Sequence, residues 1–333
     1  MEKISLILPV YNVRNRLETC LQSLLIQRTN SKFDYNIILV DDGSDDGSAR
    51  ICDVYSKKYP IKISVVHKKN EGVSSARNYG IEHTDSEYIG FIDPDDYVNN
   101  HYLIDLFNAL KKANADFASC GFYEKWDREL PALTCNQDYV ALEGFQILNT
   151  NDALRKLFYQ DDLEFAVWGK LFRRELFRDV KFPVSKRFED VPVTYNLISR
   201  SRKVAIIRNK NYIYWQRKNG MLNSNFNSDK LDIIPVMDSL YDSVLKNYPE
   251  LKSAVSSRYF AGLCNVYFQT PSNIKAKSIL WKKMLKVRRN VLLNKEAPLK
   301  TRLGALSTYF GQRLAKIAYR KTQNRGRKIK KSH

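Results

Sequence analysis

Three groups of carboxylates stand out by type and spacing. Asp41 and Asp42 open the run Asp41-Asp42-Gly43-Ser44-Asp45-Asp46-Gly47-Ser48, Asp93-Pro94-Asp95-Asp96 packs its acids around one proline, and Glu189-Asp190 sits between Phe188 and Val191. Clustered carboxylates repel one another, so they normally keep a cation or a hydrogen-bonding ligand. Asp93-Pro94-Asp95-Asp96 can hold Mg2+ or Mn2+ through one or two oxygens and leave positions open for phosphates. A metal there offsets charge on a departing diphosphate. The plainer reading is a solvated turn whose aspartates cap the helices that follow, and Asp-Gly-Ser is common turn chemistry. Gly72, Ser74, Ser75 and Arg77 add backbone donors and a guanidinium at a helix start, where phosphate could also be met.

The elements that must position these groups alternate. Ile4–Val10 reads as a buried strand ended at proline, Arg14–Gln27 as a helix with Leu17, Leu21, Leu24 and Leu25 on one face, and Tyr35–Val40 as a second strand running into the first acidic turn. A helix to about Lys58, strand Ile63–His67, helix Gly72–His83 and strand Tyr88–Ile92 follow. Such alternation predicts an α/β fold with a mostly parallel sheet flanked by helices. Ligands then bind beyond the carboxyl ends of the strands, where both early acidic turns fall. Further on, Asn151–Tyr159 and the stretch after Val191 read as helices, and Val204–Ile207 and Tyr212–Trp215 as strands. From Lys230 the pattern is helical, with Ile233, Val236, Leu240, Val244 and Leu245 on one stripe. Asp96 is expected to cap the next helix or support a metal from behind.

The composition, 44% hydrophobic and 27% charged over 333 residues, is that of a folded chain of about two domains. The net charge of +19 is concentrated: Lys275–His333 carries 19 Lys and Arg against the single acid Glu296, so the preceding residues are nearly neutral. Five cysteines without Cys-x-x-Cys spacing predict reduced thiols. The short run Ile4–Val10 makes no signal peptide, and no stretch is apolar enough to span a bilayer. The expected location is the cytoplasm, or the inner face of the cell membrane as a peripheral protein. There is neither a Gly-x-x-x-x-Gly-Lys-Ser/Thr loop nor a Gly-x-Gly-x-x-Gly after the first strand, which demotes kinases, ATPases and dinucleotide oxidoreductases.

Pro9-Val10-Tyr11-Asn12, Val40-Asp41-Asp42-Gly43-Ser44, Asn70–Asn78, Phe91–Asp96, Trp168-Gly169-Lys170-Leu171-Phe172 and Glu189-Asp190 together resemble the inverting family 2 glycosyltransferases of the GT-A fold, including those that build bacterial cell-surface polysaccharides and wall teichoic acid. The resemblance covers residues 1 to about 220. It implies a catalytic domain over 1–225, with a nucleotide half to about 125 and an acceptor half over about 126–225. A helical basic region over 226–323 and a disordered tail over 324–333 follow. It further implies that Pro9 and Tyr11 line the base pocket, that Asp41 accepts a hydrogen bond from uracil, and that Arg77 lies near the nucleotide. Its alternative reading is an ion pair that steadies Asp93 or Asp95. Asp93 is then placed near the ribose, and Asp95 with Asp93 at Mn2+ or Mg2+ and the diphosphate. Asp190 resembles the general base, with Glu189 next in line. Arg217, in a loop similar to one that closes over the diphosphate, is expected to steady the leaving group. Trp168 is expected to stack on the acceptor sugar or to pack in the core. No histidine occurs between His101 and His333, so the extra metal ligand of some family members has no counterpart.

The implied reaction moves a sugar from a UDP-sugar to a hydroxyl of a cell-envelope glycan or its lipid-linked precursor, with inversion. The rivals are a sugar nucleotidyltransferase and a non-catalytic polyanion-binding protein. Ile279–Leu292 and, more weakly, Leu303–Tyr319 mix apolar anchors with cations. Residues 275–331 are therefore expected to meet an anionic membrane surface first, a polyanionic polymer second and nucleic acid third, the plain alternative being a solvated helical face.

Overall fold

The protein is described by a computed structural model over residues 1–126, 144–184, 186–216 and 226–319. It divides into two compact units, residues 1–153 with 162–224, and residues 154–161 with 225–333.

The first unit is built on a nine-stranded sheet. In chain order the elements up to residue 224 are β1 (Glu2–Val10), α1 (Arg14–Leu25), β2 (Phe33–Asp41), α2 (Ser48–Lys58), β3 (Ile63–His67), α3 (Val73–Glu82), β4 (Tyr88–Phe91), β5 (Tyr97–Val98), α4 (Tyr102–Ala113), β6 (Phe117–Trp126), β7 (Phe145–Leu148), α5 (Thr150–Tyr159, which from Leu154 on belongs to the second unit), β8 (Lys170–Arg173), α6 (Asp190–Arg200) and β9 (Val204–Gln216). The strand order is β3-β2-β1-β4-β8-β6-β9-β5, with β7 also on β9. The four strands β3, β2, β1 and β4 run parallel, while β8 is antiparallel to both β4 and β6. The sheet is thus mixed and mostly parallel in its first half. Residues 4–10 of β1 are all buried, as a central strand covered on both faces requires.

Chain order explains why the acidic turns meet. β2 lies on one side of β1 and β4 on the other, so the chain reverses its direction of sheet growth at β1. A crevice opens at such a switch point, beyond the carboxyl ends of the strands. Val10 is paired with Asp41, and Ile7 with Phe91 two residues before Asp93, which puts both turns at that end. Close packing sets α3 over β1: a Cβ on Gly80 would collide with the Ile7 side chain.

The expected strands Val204–Ile207 and Tyr212–Trp215 are one strand, β9. The polar stretch between them is carried by an irregularity in the pairing with β6, around Gly121.

The second unit contains α7 (Ile233–Asn247), α8 (Lys252–Gln269), α9 (Ala276–Leu293), α10 (Leu299–Ser307) and a helical segment 311–319. The buried stripe of α7 is Ile233, Met237, Leu240, Tyr241 and Val244, so Val236 and Leu245 lie off it. No helix among the described residues is long and apolar enough to cross a membrane. Cys20, Cys52, Cys120 and Cys264 are free thiols, while Cys135 lies outside the described residues.

Candidate active site

The loops after β1 and β2 are laced together. Asn12, in the left-handed region at φ 51°, donates its side-chain amide to Asp45 (2.9 Å) and accepts from the Asp45 backbone N–H (3.0 Å). Asp46 accepts from the backbone N–H of both Arg14 and Ser48 (2.9 Å each), so one carboxylate serves the starts of α1 and α2. Pro9 is buried in β1 beside Val40, and Tyr11 leaves the strand with 48% of its surface exposed. A core role for Tyr11 is excluded by that exposure.

Asp41 is buried, with one oxygen 2.8 Å from His67 Nδ1 and the other accepting from the Ser44 backbone N–H at 3.1 Å. His67 Nε2 is 3.0 Å from Asp53, and the hydrogen bond to Asp41 is the main reason its pKa is raised. Asp42 is buried as well and accepts from Lys68 Nζ (2.8 Å) and from the backbone N–H groups of Gly72 (2.7 Å) and Glu71 (3.1 Å). Gly72 has φ 92°, a conformation that costs glycine nothing and turns its N–H onto Asp42. The loop donors before α3 are therefore directed to Asp42.

Arg77 is the hub. It is 4% exposed, with Nη2 on Asp93 at 3.0 Å and Nη1 on Glu189 at 2.9 Å and Asp190 at 3.4 Å. The ion-pair alternative foreseen for this arginine is what the geometry contains, and it reaches further than Asp93. Burial alone would depress its pKa, but the charges of Asp190, Asp93 and Glu189 raise it. One cation faces three carboxylates, so compensation is incomplete. Desolvation, opposed by Arg77 and helped by the negative charges of Asp95 and Asp190, pushes Asp93 up to about 6. Desolvation, opposed by Arg77 and helped by Glu189, pushes Asp190 up to about 7. Phe188, just before the pair, has φ 62°, a strained backbone for a bulky residue that aims Glu189 and Asp190 at Arg77.

Asp96 corrects an expectation. It caps no helix, because β5 intervenes and α4 begins only at Tyr102. Its carboxylate accepts from the Tyr212 hydroxyl (2.8 Å) and the Trp215 backbone N–H (2.8 Å), while the Asp93 backbone N–H donates to the Tyr212 oxygen (3.2 Å). It ties β9 to the acidic turn, and burial with the charges of Asp95 and Asp93 raises its pKa well above its ordinary value.

Trp168 is half-buried. Its ring stacks on Tyr212 (4.5 Å between centroids, 13°) and on Tyr214 (5.4 Å, 19°), with Phe122 edge-on at 5.1 Å. Arg217 lies outside the described residues. Sequence reasoning gave no role to Lys170, which is 2% exposed and donates to the Ala166 carbonyl at 2.6 Å. Desolvation pulls its pKa to about 8, against the charges of Glu164, Cys120 and Asp190. A lysine between the buried Val167 and Leu171 was the available signal.

The residues expected to hold Mn2+ or Mg2+ are Asp93, which is ion-paired to Arg77, and Asp95. Both are partly exposed, and among the described residues no three His, Cys, Asp or Glu are grouped to hold a metal by themselves. These ions are commonly held by one or two carboxylates plus substrate phosphates. A cavity of about 650 Å³ lies away from these carboxylates, lined by Glu87, Arg173 and Lys181 among others.

Residues 5–181, just over half the chain, match the Glycosyl transferase family 2 domain. The chain belongs to that family. It is 33% identical to EpsJ, an uncharacterized glycosyltransferase of Bacillus subtilis, over 79% of this chain and 74% of that one. It is 28% identical to the minor teichoic acid biosynthesis protein GgaA of the same organism, over 64% of this chain and 47% of GgaA. The fold is similar to that of S. aureus TarS residues 1–349 in complex with UDP-GlcNAc, with TM-score 0.66, 18% identity, and coverage of 98% and 92%. The transferase thus has a GT-A-like sheet and a helical C-terminal region.

Proposed function

We propose that the transferase moves a hexose from a UDP-sugar to a hydroxyl of a cell-envelope glycan or its lipid-linked precursor, with inversion. The observation that carries this reading is the shared guanidinium. Arg77 holds Asp93, from the turn after β4, and Asp190, from the start of α6, within hydrogen-bond reach of one group. A base and a donor-binding acid are thereby fixed on one side of a crevice. Family membership and the likeness in fold to a protein solved with UDP-GlcNAc support the donor class.

In this reading Asp190 takes the proton of the acceptor hydroxyl as its oxygen attacks the anomeric carbon. The bond from that carbon to the diphosphate breaks, and UDP leaves from the opposite face. A pKa near 7 makes Asp190 a stronger base than an ordinary carboxylate while leaving much of it ionised at neutral pH. Glu189, closer to Arg77, keeps the guanidinium in place. Mn2+ or Mg2+ held by Asp93 and Asp95 would supply charge to offset the leaving diphosphate. Pro9, Tyr11 and Asp41 line the base pocket, with Tyr11 the exposed face and Asp41 held by His67. Trp168, stacked with Tyr212 and Tyr214 of β9, offers an apolar edge to the acceptor, and Arg217 steadies the leaving group. The enzyme works at the inner face of the membrane, held there by its basic C-terminal region.

A UDP-release assay over a panel of UDP-sugars, with and without Mn2+, tests the reading. Activity with at least one donor, lost in Asp95→Asn and Asp190→Asn, is the expected result. Chelator-insensitive turnover overturns the metal, retention of the donor's anomeric configuration overturns single displacement, and silence with every UDP-sugar overturns the donor class.

A further inference from the structure

The sequence suggested that α9 supplies apolar anchors, and the structure moves them. Leu280, Met284, Val287 and Val291 of α9 are buried at the spacing of one helix face, and α9 packs on α8. Trp281 packs on Tyr267. The exposed face of α9 mixes the cations Lys282, Lys286 and Arg289 with Ile279 and, at the helix end, Leu293.

The denser run of exposed apolar residues lies further on. In α10, Leu299 (66% exposed), Leu303 (48%) and Leu306 (40%) recur at i, i+4 and i+7, while Ala305 is buried. Beyond the helix, Phe310 (65%) precedes Gly311, whose φ of 88° turns the chain into the segment 311–319, where Leu314 (50%) and Ile317 (51%) are exposed and Ala315 is buried. Arg288 stacks on Tyr309 at 3.8 Å and donates to the Thr308 carbonyl, which holds this stretch to α9. Exposed Lys300, Arg313 and Lys316 stand among the leucines, and no acidic residue occurs after Glu296.

An apolar face of this kind on a folded chain marks a contact surface. Its charge selects the partner. A second copy would bring a like-charged face, and that repulsion disfavours self-association. Anionic headgroups over an acyl layer complement both features at once. We infer that α10 and residues 310–317 form a shallow insertion face for anionic lipid, with Leu303, Leu306, Phe310 and Leu314 entering the acyl boundary. The inference rests on the reading that the enzyme works at a membrane, and narrows it from a basic region that is merely attracted to one defined face.

The test uses the full chain and vesicles of phosphatidylglycerol with phosphatidylcholine, or of phosphatidylcholine alone, at about 0.15 M salt. Sedimentation with the anionic vesicles only is expected, weakened at least about tenfold in L303S/L306S/F310S and in K300E/R313E/K316E. F310W should shift its emission to the blue on anionic vesicles. All variants should keep the melting temperature and UDP release of the parent, which separates failure of this face from failure of the transferase reading. Undiminished binding of the serine variant would mean attraction by charge alone and overturn insertion. Absence of binding by the parent overturns the membrane reading altogether. A dimer dissolved by the serine variant makes the face a protein interface instead.

Discussion

Arg77 makes the acid groups of the site interdependent. Arg77→Met leaves Asp93, Glu189 and Asp190 facing one another without a cation, and should cost on the order of 3 kcal/mol, read as a lowered unfolding midpoint in urea. Arg77→Lys keeps the charge but not the fork that reaches both turns; kcat should fall more than KM changes. The pH profile carries a sign. Asp190 must be ionised to accept a proton, so kcat/KM should rise with pH and level off above about 7. Asp190→Asn should lose on the order of a hundredfold or more in UDP release. His67 behaves in the opposite sense for stability. Its folded pKa lies above its ordinary value of 6.5, so its pairing with Asp41 stabilises fully below about pH 6.5 and is lost as pH rises through the folded value. Melting curves from pH 5 to 9 should show this slope flattened in His67→Gln.

At the scale of elements, α3 is placed by contact at Gly80. Because a methyl group there would meet Ile7, Gly80→Ala should push α3 off β1 and destabilise by about 1–3 kcal/mol, measured by thermal unfolding. It should also lower kcat, since α3 carries Arg77. β9 has a comparable role at the other side of the acidic turn, where Tyr212 and Trp215 hold Asp96 and Tyr212 and Tyr214 hold Trp168. Asp96, expected to cap the next helix or to support a metal from behind, caps no helix and joins β9 to the acidic turn.

Across the whole molecule the charge is partitioned. The excess of +19 resides almost wholly after Lys275, while the acidic turns belong to the near-neutral remainder. Raising the salt to about 0.5 M should release the protein from anionic vesicles, since exposed cations are screened, yet leave UDP release to a soluble acceptor within about twofold. An equal loss of both would show that the basic region takes part in donor chemistry.

Local pattern sufficed for the alternation of β1 to β4, because buried parallel strands and short capped helices leave runs and turns that a single chain shows. It also marked the acidic turns and the Glu189-Asp190 pair, since self-repulsion among adjacent carboxylates needs no tertiary context to be noticed. What each carboxylate binds was decided elsewhere. Asp93 and Asp190 are 97 positions apart, and only the switch in sheet order at β1 and the descent of α3 onto Ile7 bring both to Arg77. The partners of Asp96 and Lys170, Tyr212 and the Ala166 carbonyl, show only once burial removes water from both. Likewise α9 and α10 have similar mixtures of leucine and lysine in one dimension. Only packing shows that α9 buries Leu280, Met284, Val287 and Val291 while α10 leaves Leu299, Leu303 and Leu306 outside. Residue type and spacing determine which groups are costly to leave alone; the tertiary fold determines which partners relieve that cost.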